Sequence, residues 1–298
     1  MNAVDHNNVV IFDDRGIPSI MCRFVRPKDT EEIPAVFKIG DKVADAIYIS
    51  KYPNIVIDGR AYSMPMADPT VNITFDEAVQ ACRCKGLGWH LMTAVEYEYL
   101  LNQSREKGTM PHGNTDWGKD YYHNEEQGKV SNLGRTYTGT GPVTWNHDHT
   151  PYGVSDLNGN VWEWLAGLRI KDGVIEFIPG NKAASPYCDL SKDSTEWQQA
   201  ETSKGPVRAN VECGEITITD AVAADDYEPN YDGVRIEELE VKLSEIPQVL
   251  KDLGIIPDKR AEEEGKTYVY FDATEGEYLP FRGSAFDFTS SSGPSALN

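Results

Sequence analysis

Apolar residues fall in short runs broken by turn chemistry, and helical spacing occurs in a few places only. Val9-Val-Ile-Phe12, the turn Asp13-Asp-Arg-Gly16 and the loosely alternating Ile17–Val25 read as strand, turn, strand. Residues 26–34 are charged and contain Pro27 and Pro34, which suits a linker. Residues 1–30 are therefore expected to form an N-terminal β segment, an attachment region apart from a main domain at 31–298. Phe37-Lys-Ile-Gly40, Ala46-Ile-Tyr-Ile-Ser50 and Thr267-Tyr-Val-Tyr-Phe271 read as further short strands. In Thr74-Phe-Asp-Glu77 the hydroxyl can accept from the Glu77 amide while the Glu side chain reaches back, which starts a helix. Phe75, Ala78, Val79 and Cys82 continue it at helical spacing, and Gly86 can end it. Thr93-Ala-Val-Glu96 starts a second helix, with Tyr97, Leu100 and Leu101 on its apolar face and Gly108 as its stop. The spacing predicts principal helices over 74–86 and 93–107.

Residues 109–168 are rich in Gly, Asn, Asp, Thr and Trp, which predicts short elements and long loops. Residues 169–278 read as a peripheral insert. Lys171-Asp-Gly173 predicts a hairpin between Leu168-Arg-Ile and Val174–Ile178. Residues 220–245 hold nine acidic and two basic side chains, so 220–235 is expected to be exposed and mobile. A short helix is expected over 244–253, capped by Ser244, with Pro247 in its first turn and Gly254 beyond it. Asp226, Glu228, Asn230, Asp232 and Glu237 have the spacing of a calcium loop. Tyr231 stands where that loop needs Gly, however, and Pro229 interrupts the approach, so an exposed acidic loop is the better reading.

The 298 residues suit one elaborated domain. A formal charge of −20 repels phosphate backbones and anionic membranes, which argues against nucleic acid and membrane insertion. No run reaches the ~20 apolar residues of a spanning helix, and the polar start Met1-Asn-Ala-Val-Asp-His6 is no secretory signal. Synthesis in a bacterial cytoplasm without a signal peptide is the expectation. Five cysteines, an odd number, predict free thiols. His147 and His149 share a strand face, but among turn residues they are expected to be solvated or capping groups.

The segment Gly153-Val-Ser-Asp-Leu-Asn-Gly-Asn-Val-Trp-Glu-Trp164 concentrates rare residues. On a strand Trp162 and Trp164 share one face, expected to be buried, and Glu163 points to the other. This segment resembles the signature of the formylglycine-generating-enzyme family. Ile47–Tyr52, Thr74–Cys82, Trp89–Leu100, Gly141–Trp145 and Phe281-Arg-Gly-Ser-Ala-Phe286 match that family in order, covering roughly 37–168 and 279–298. The resemblance implies an α+β, C-type-lectin-like fold with two main helices, small antiparallel sheets and long irregular loops. It also implies a calcium site on Gly159, Asn160, Val161 and Glu163, a set of oxygen donors that suits a hard cation.

The family's chemistry does not carry over. Its oxidising members use a cysteine pair soon after the arginine-glycine-glycine-serine-tryptophan segment, and residues 284–298 contain no cysteine. No copper or iron site is expected, and an oxidase or sulfoxide-synthase-type enzyme is the alternative reading. No phosphate loop or nucleophile elbow appears. Ile11-Phe-Asp-Asp-Arg-Gly-Ile-Pro18 and the ending from Phe281 to Asn298 look like phage and prophage tail proteins, including variable proteins diversified by retroelements. In those the segment after arginine-glycine continues through a further strand. This chain ends before it, so an exposed sheet edge is expected. The resemblance implies a non-enzymatic receptor-binding protein of a virion tail or prophage, with a host-surface protein or glycan as target and a homo-oligomer or other tail proteins as partners. A bacterial ligand-binding module is a further alternative. Ala285, Phe286, Asp287, Phe288, Thr289, Ser291 and Ser292 mix aromatic anchors with small polar groups, as binding loops do. They are the expected ligand-binding residues.

Overall fold

The computed structural model describes residues 6–30, 32–212, 214–224 and 227–298. Its architecture is α+β. Strands β1 (His6–Phe12) and β2 (Pro18–Val25) pair antiparallel, and β2 pairs with β3 (Ala46–Ser50). Both expected helices form, as α1 (Phe75–Arg83) and α2 (Ala94–Lys107). Each begins at the reciprocal Thr–Glu cap that the sequence predicts, and α2 ends on Gly108 in the left-handed conformation.

The largest sheet has seven strands, not the small antiparallel sheets expected. Its path runs from β9 (Glu240–Lys242) through β7 (Glu215–Thr219), β6 (Arg208–Glu212), β5 (Val174–Phe177) and β4 (Leu168–Lys171) to β11 (Glu277–Tyr278), and the seventh strand, Gln198–Gln199, pairs with β5 off this path. The β7–β9 pair is parallel. The β4–β5 hairpin turns at Asp172 and Gly173, both with positive φ, as its sequence predicts. A separate ribbon pairs β8 (Tyr231–Arg235) with β10 (Tyr268–Asp272).

One hydrophobic cluster runs through all these parts. It joins Phe24 of β2, Ile49 of β3, Tyr97 and Leu101 of α2, Ile175 of β5, Val211 of β6, Ile218 of β7 and Leu250. Two expectations change accordingly. Residues 169–278 are not peripheral, because their alternating strands supply core side chains to the domain. Residues 1–30 do not stand apart, because β2 is the middle strand of its sheet and buries Cys22 and Phe24. A smaller cluster packs Phe75 and Val79 of α1 against Ile178, Leu190 and Trp197.

The acidic segment is more ordered than its charge suggests. Tyr231–Arg235 is paired along its length and buries Val234. Asp226 of the calcium-loop spacing lies outside the described residues, as does Cys213. The helix expected over 244–253 shrinks to α3 (Gln248–Asp252). Ser244 does not cap it but donates to the buried Asp220, whose carboxylate also accepts from Thr202 and is held down at about 2 by these bonds. Among the described residues no helix is long and apolar enough to cross a membrane.

Candidate functional site

Two loops carrying the distinctive motifs are bound to each other at the centre of the molecule. The Gly159 amide donates to the Gly283 carbonyl at 2.6 Å. Gly159 has φ +71, and a Cβ there would stand 2.1 Å from the Asn114 carbonyl oxygen, so only glycine permits the approach. Gly283, with φ +94, also approaches backbone, and a Cβ there would stand 2.9 Å from the Leu157 carbonyl oxygen. Next to it, Arg282 is fully buried and donates to Glu98 of α2 at 3.3 Å and to the Gly254 carbonyl at 2.7 Å. Glu98 also pairs with Arg105, which holds Glu264 at 2.8 Å. A buried charge network thus fixes where the chain leaves Arg282 and enters the loop that follows.

Asn160 is a structural tie. Its side-chain oxygen accepts from the Thr136 amide at 2.8 Å and from Asn114 Nδ2 at 3.1 Å, and its Nδ2 donates to the Thr136 carbonyl at 3.2 Å. The Gly159 carbonyl accepts from the Val161 amide. These bonds occupy the Asn160 side-chain oxygen and one lone pair of the Gly159 carbonyl, both within the set Gly159, Asn160, Val161 and Glu163 implied for calcium. Among the described residues no group of three or more His, Cys, Asp or Glu side chains is placed to hold a metal.

Glu163 has a different setting. It stands opposite Arg282 in the two-residue pairing of Glu163–Trp164 with Phe281–Arg282. It lines a cavity of about 160 Å³ together with Asn54, Trp89, His90, Trp162 and Trp164. Burial, with Asp156 nearby, pushes its carboxyl up to about 8. Asp156 itself is raised to about 6 by burial. The flanking Trp162 and Trp164 are mostly covered, in keeping with the expectation that both are largely buried. Both pack edge-on against Phe281 at 5.0 Å, and Trp164 donates to the Ile73 carbonyl.

The loop 285–292 emerges beside this pair. Its backbone is tied down at three points: the Trp117 amide donates to Phe286 O, the Thr289 amide to Thr115 O, and the Tyr122 hydroxyl to Ser290 O. Phe286 packs against Trp117 at 4.9 Å, and Phe288 bridges Trp162 at 5.3 Å and Tyr270 at 6.1 Å. Asp287 is exposed, and Ala285, Phe286, Phe288, Thr289, Ser291 and Ser292 are half-buried. Ser284, Thr289 and Trp117 all adopt positive φ, a concentration of backbone strain typical of functional surfaces. Trp117 is 58 % exposed and Tyr122 52 %. The arrangement is a rigid, wet-edged aromatic surface suited to contact with a ligand.

The structure brings the seven expected ligand-binding residues together and adds Trp117, Tyr122, Trp162 and Tyr270 around them. Trp117 and Tyr122 lie in the loop-rich 109–168 region, where no periodicity marks a face. Tyr270 carried a signal in the alternation Tyr268-Val-Tyr270, which places both tyrosines on one strand face.

Other candidate groups are structural. His147 is buried, and its Nδ1 accepts from the Val154 amide; His149 Nε2 meets the Met110 carbonyl. His147 is thus neither solvated nor a ligand partner of His149. Cys22, Cys82, Cys84 and Cys188 are free thiols. Burial pushes Cys22 up to about 12 and Cys82 and Cys188 up to about 11, the opposite of a reactive thiolate.

Residues 51–207, more than half of the chain, match the family described as the sulfatase-modifying factor enzyme 1-like domain. A stretch of 105 residues is 36 % identical to the formylglycine-generating enzyme of Mus musculus, covering 33 % of this chain and 27 % of that protein. The chain therefore matches about a quarter of that relative's length. The family match includes both helices, the Asn-Gly-Asn-Val-Trp-Glu-Trp segment and the β4–β5 hairpin, and so runs into the region read as an insert. It ends before the loop at 285–292.

Proposed function

The chain belongs to the sulfatase-modifying factor enzyme 1-like family, and from that premise we propose that it is a non-enzymatic member that binds a ligand on the surface around residues 285–292. The observation that carries this reading is the loop itself. Where the family's oxidising members would place a cysteine pair, this chain has an aromatic and small-polar loop held by backbone bonds to Thr115 and Trp117. A rigid scaffold with side chains free to vary at its edge is how binding loops usually work.

The finer reading is a C-type-lectin-like receptor-binding protein of a phage or prophage tail, directed at a host-surface protein or glycan. It is supported by the resemblance of Ile11–Pro18 and of the Phe281–Asn298 segment to such proteins. The rival is an oxidase or sulfoxide-synthase-type enzyme. The test is incubation of the full chain with a thiol-containing peptide, oxygen and either copper or iron, followed by oxygen uptake and peptide mass. The binding reading expects no metal-dependent change in either. Catalytic oxygen consumption with a modified peptide would overturn it.

A further inference from the structure

A second cleft lies between the Tyr-bearing β8–β10 ribbon and the Trp164–Phe281 pair. It measures about 430 Å³ and is lined by Trp164, Tyr231, Tyr270, Asp272, Tyr278 and Phe281, among others. That volume lies within the range of small-molecule sites. Tyr231 and Tyr270 stand side by side across the ribbon, their rings 6.0 Å apart and within 12° of parallel. Tyr231 is 45 % exposed. Tyr270 lies over Gly233, where an added Cβ would stand 2.3 Å from its ring, so the missing side chain seats the ring against the backbone. Across the cleft, Trp164 and Phe281 meet edge to face.

Polar groups sit at the lip. Asp272 Oδ1 accepts from the Thr274 amide and hydroxyl, while its Oδ2 takes no hydrogen bond from the described residues. The Tyr231 hydroxyl donates to Asn298 Oδ1, leaving the carboxamide nitrogen of Asn298 on the same rim. Glu277 is engaged by Arg169. Aromatic walls with a few fixed acceptors and donors fit a ligand that has flat C–H faces and hydroxyls at its edge. A pyranose with equatorial substituents has that shape: its faces lie on rings and its hydroxyls reach a carboxylate or amide. The carboxylates at the lip and the formal charge of −20 oppose an anionic sugar.

We propose that this cleft binds a neutral saccharide chain of equatorial pyranoses. The inference goes beyond the loop surface, with which the cleft shares Tyr270. The experiment titrates the full chain with cellohexaose, chitohexaose and, as the anionic control, hexagalacturonate, following tryptophan fluorescence and heat at low and high salt. A neutral saccharide is expected to bind saturably and without salt dependence, and the anionic one not to bind. Tyr231→Ala should weaken binding roughly tenfold, the equivalent of one aromatic contact, with an unchanged melting temperature because the ring is half in solvent. Asp272→Asn should weaken it less, while Asp287→Ala in the loop should leave it unchanged. Absence of neutral saccharide binding, or binding indifferent to Tyr231→Ala, overturns the proposal. So does salt-sensitive capture of a lysine-rich peptide in place of the sugars. A loop variant that loses its own target while saccharide binding persists would separate failure of one reading from failure of the other.

Discussion

Replacing Glu163 with Gln keeps the size of the side chain and removes its ionisation. In the folded protein burial raises this carboxyl from its ordinary 4.5 to about 8. Between those two values the folded chain holds a proton that the unfolded chain releases. Stability contributed at this position is therefore full below about pH 4.5 and is lost as the pH rises through 8. The whole shift would correspond to roughly 5 kcal/mol. Glu163 is only half-buried, and solvent screening reduces the effect to about 2 kcal/mol. Glu163→Gln should thus match the parent near pH 5 and exceed it by about 2 kcal/mol near pH 9, or roughly 4–8 °C in melting temperature. Thermal melts of both proteins across that range, with chelator present, read the difference directly. Other titrating groups are common to both proteins and largely cancel. A pH-independent difference would refute the buried, neutral carboxyl. A Gln variant less stable than the parent near pH 9 would show that the ionised carboxylate has a cationic partner within the protein.

Further outcomes follow from the same contacts. Asn160→Ala should cost about 2–3 kcal/mol in denaturant unfolding, because it strands the Thr136 amide and one Asn114 donor in the interior. Calcium should leave the melting temperature of the parent protein unchanged; a rise that Asn160→Ala abolishes would restore the metal reading. Arg282→Ala should destabilise by about 3–5 kcal/mol, since Glu98 loses one of its two buried cationic partners, and unfolding curves that overlay would contradict the network. In hydrogen exchange, 168–177 and 208–219 should be as protected as α2, because their strands share its core; early exchange there would return the segment to the periphery.

Local chemistry was the most legible part of the sequence. Thr74, Glu77, Thr93 and Glu96 each act within four residues of one another, so both helix starts could be read directly. The Asp172-Gly173 turn was equally local. What escaped was long-range. Acidic neighbours masked the apolar alternation of Ile216 and Ile218 in the seven-stranded sheet, and the buried Val234 of the separate ribbon. The charge network joins Glu98, Arg105, Glu264 and Arg282 across more than half the chain, and no spacing reveals it. At the candidate site the loop 285–292 was legible as composition, whereas its aromatic surround, Trp117, Tyr122 and Tyr270, comes from two distant segments. Asn160 and Glu163 looked alike as oxygen donors. Only the structure separates them, one saturated by hydrogen bonds and the other facing a cavity.

Binding measured with and without the polar side chains of Asp287 and Ser291 tests the central claim most directly. Immobilised parent protein and the Asp287→Ala/Ser291→Ala variant are exposed to bacterial surface protein and glycan fractions, with melting temperature recorded on the same samples. Neither side chain makes a hydrogen bond to the described residues, so stability should change by less than about 0.5 kcal/mol. The account predicts that the parent retains a defined component, that the variant loses or exchanges it by tenfold or more in affinity, and that both melt together. Identical retention by the two proteins, or a parent that retains nothing, would contradict it.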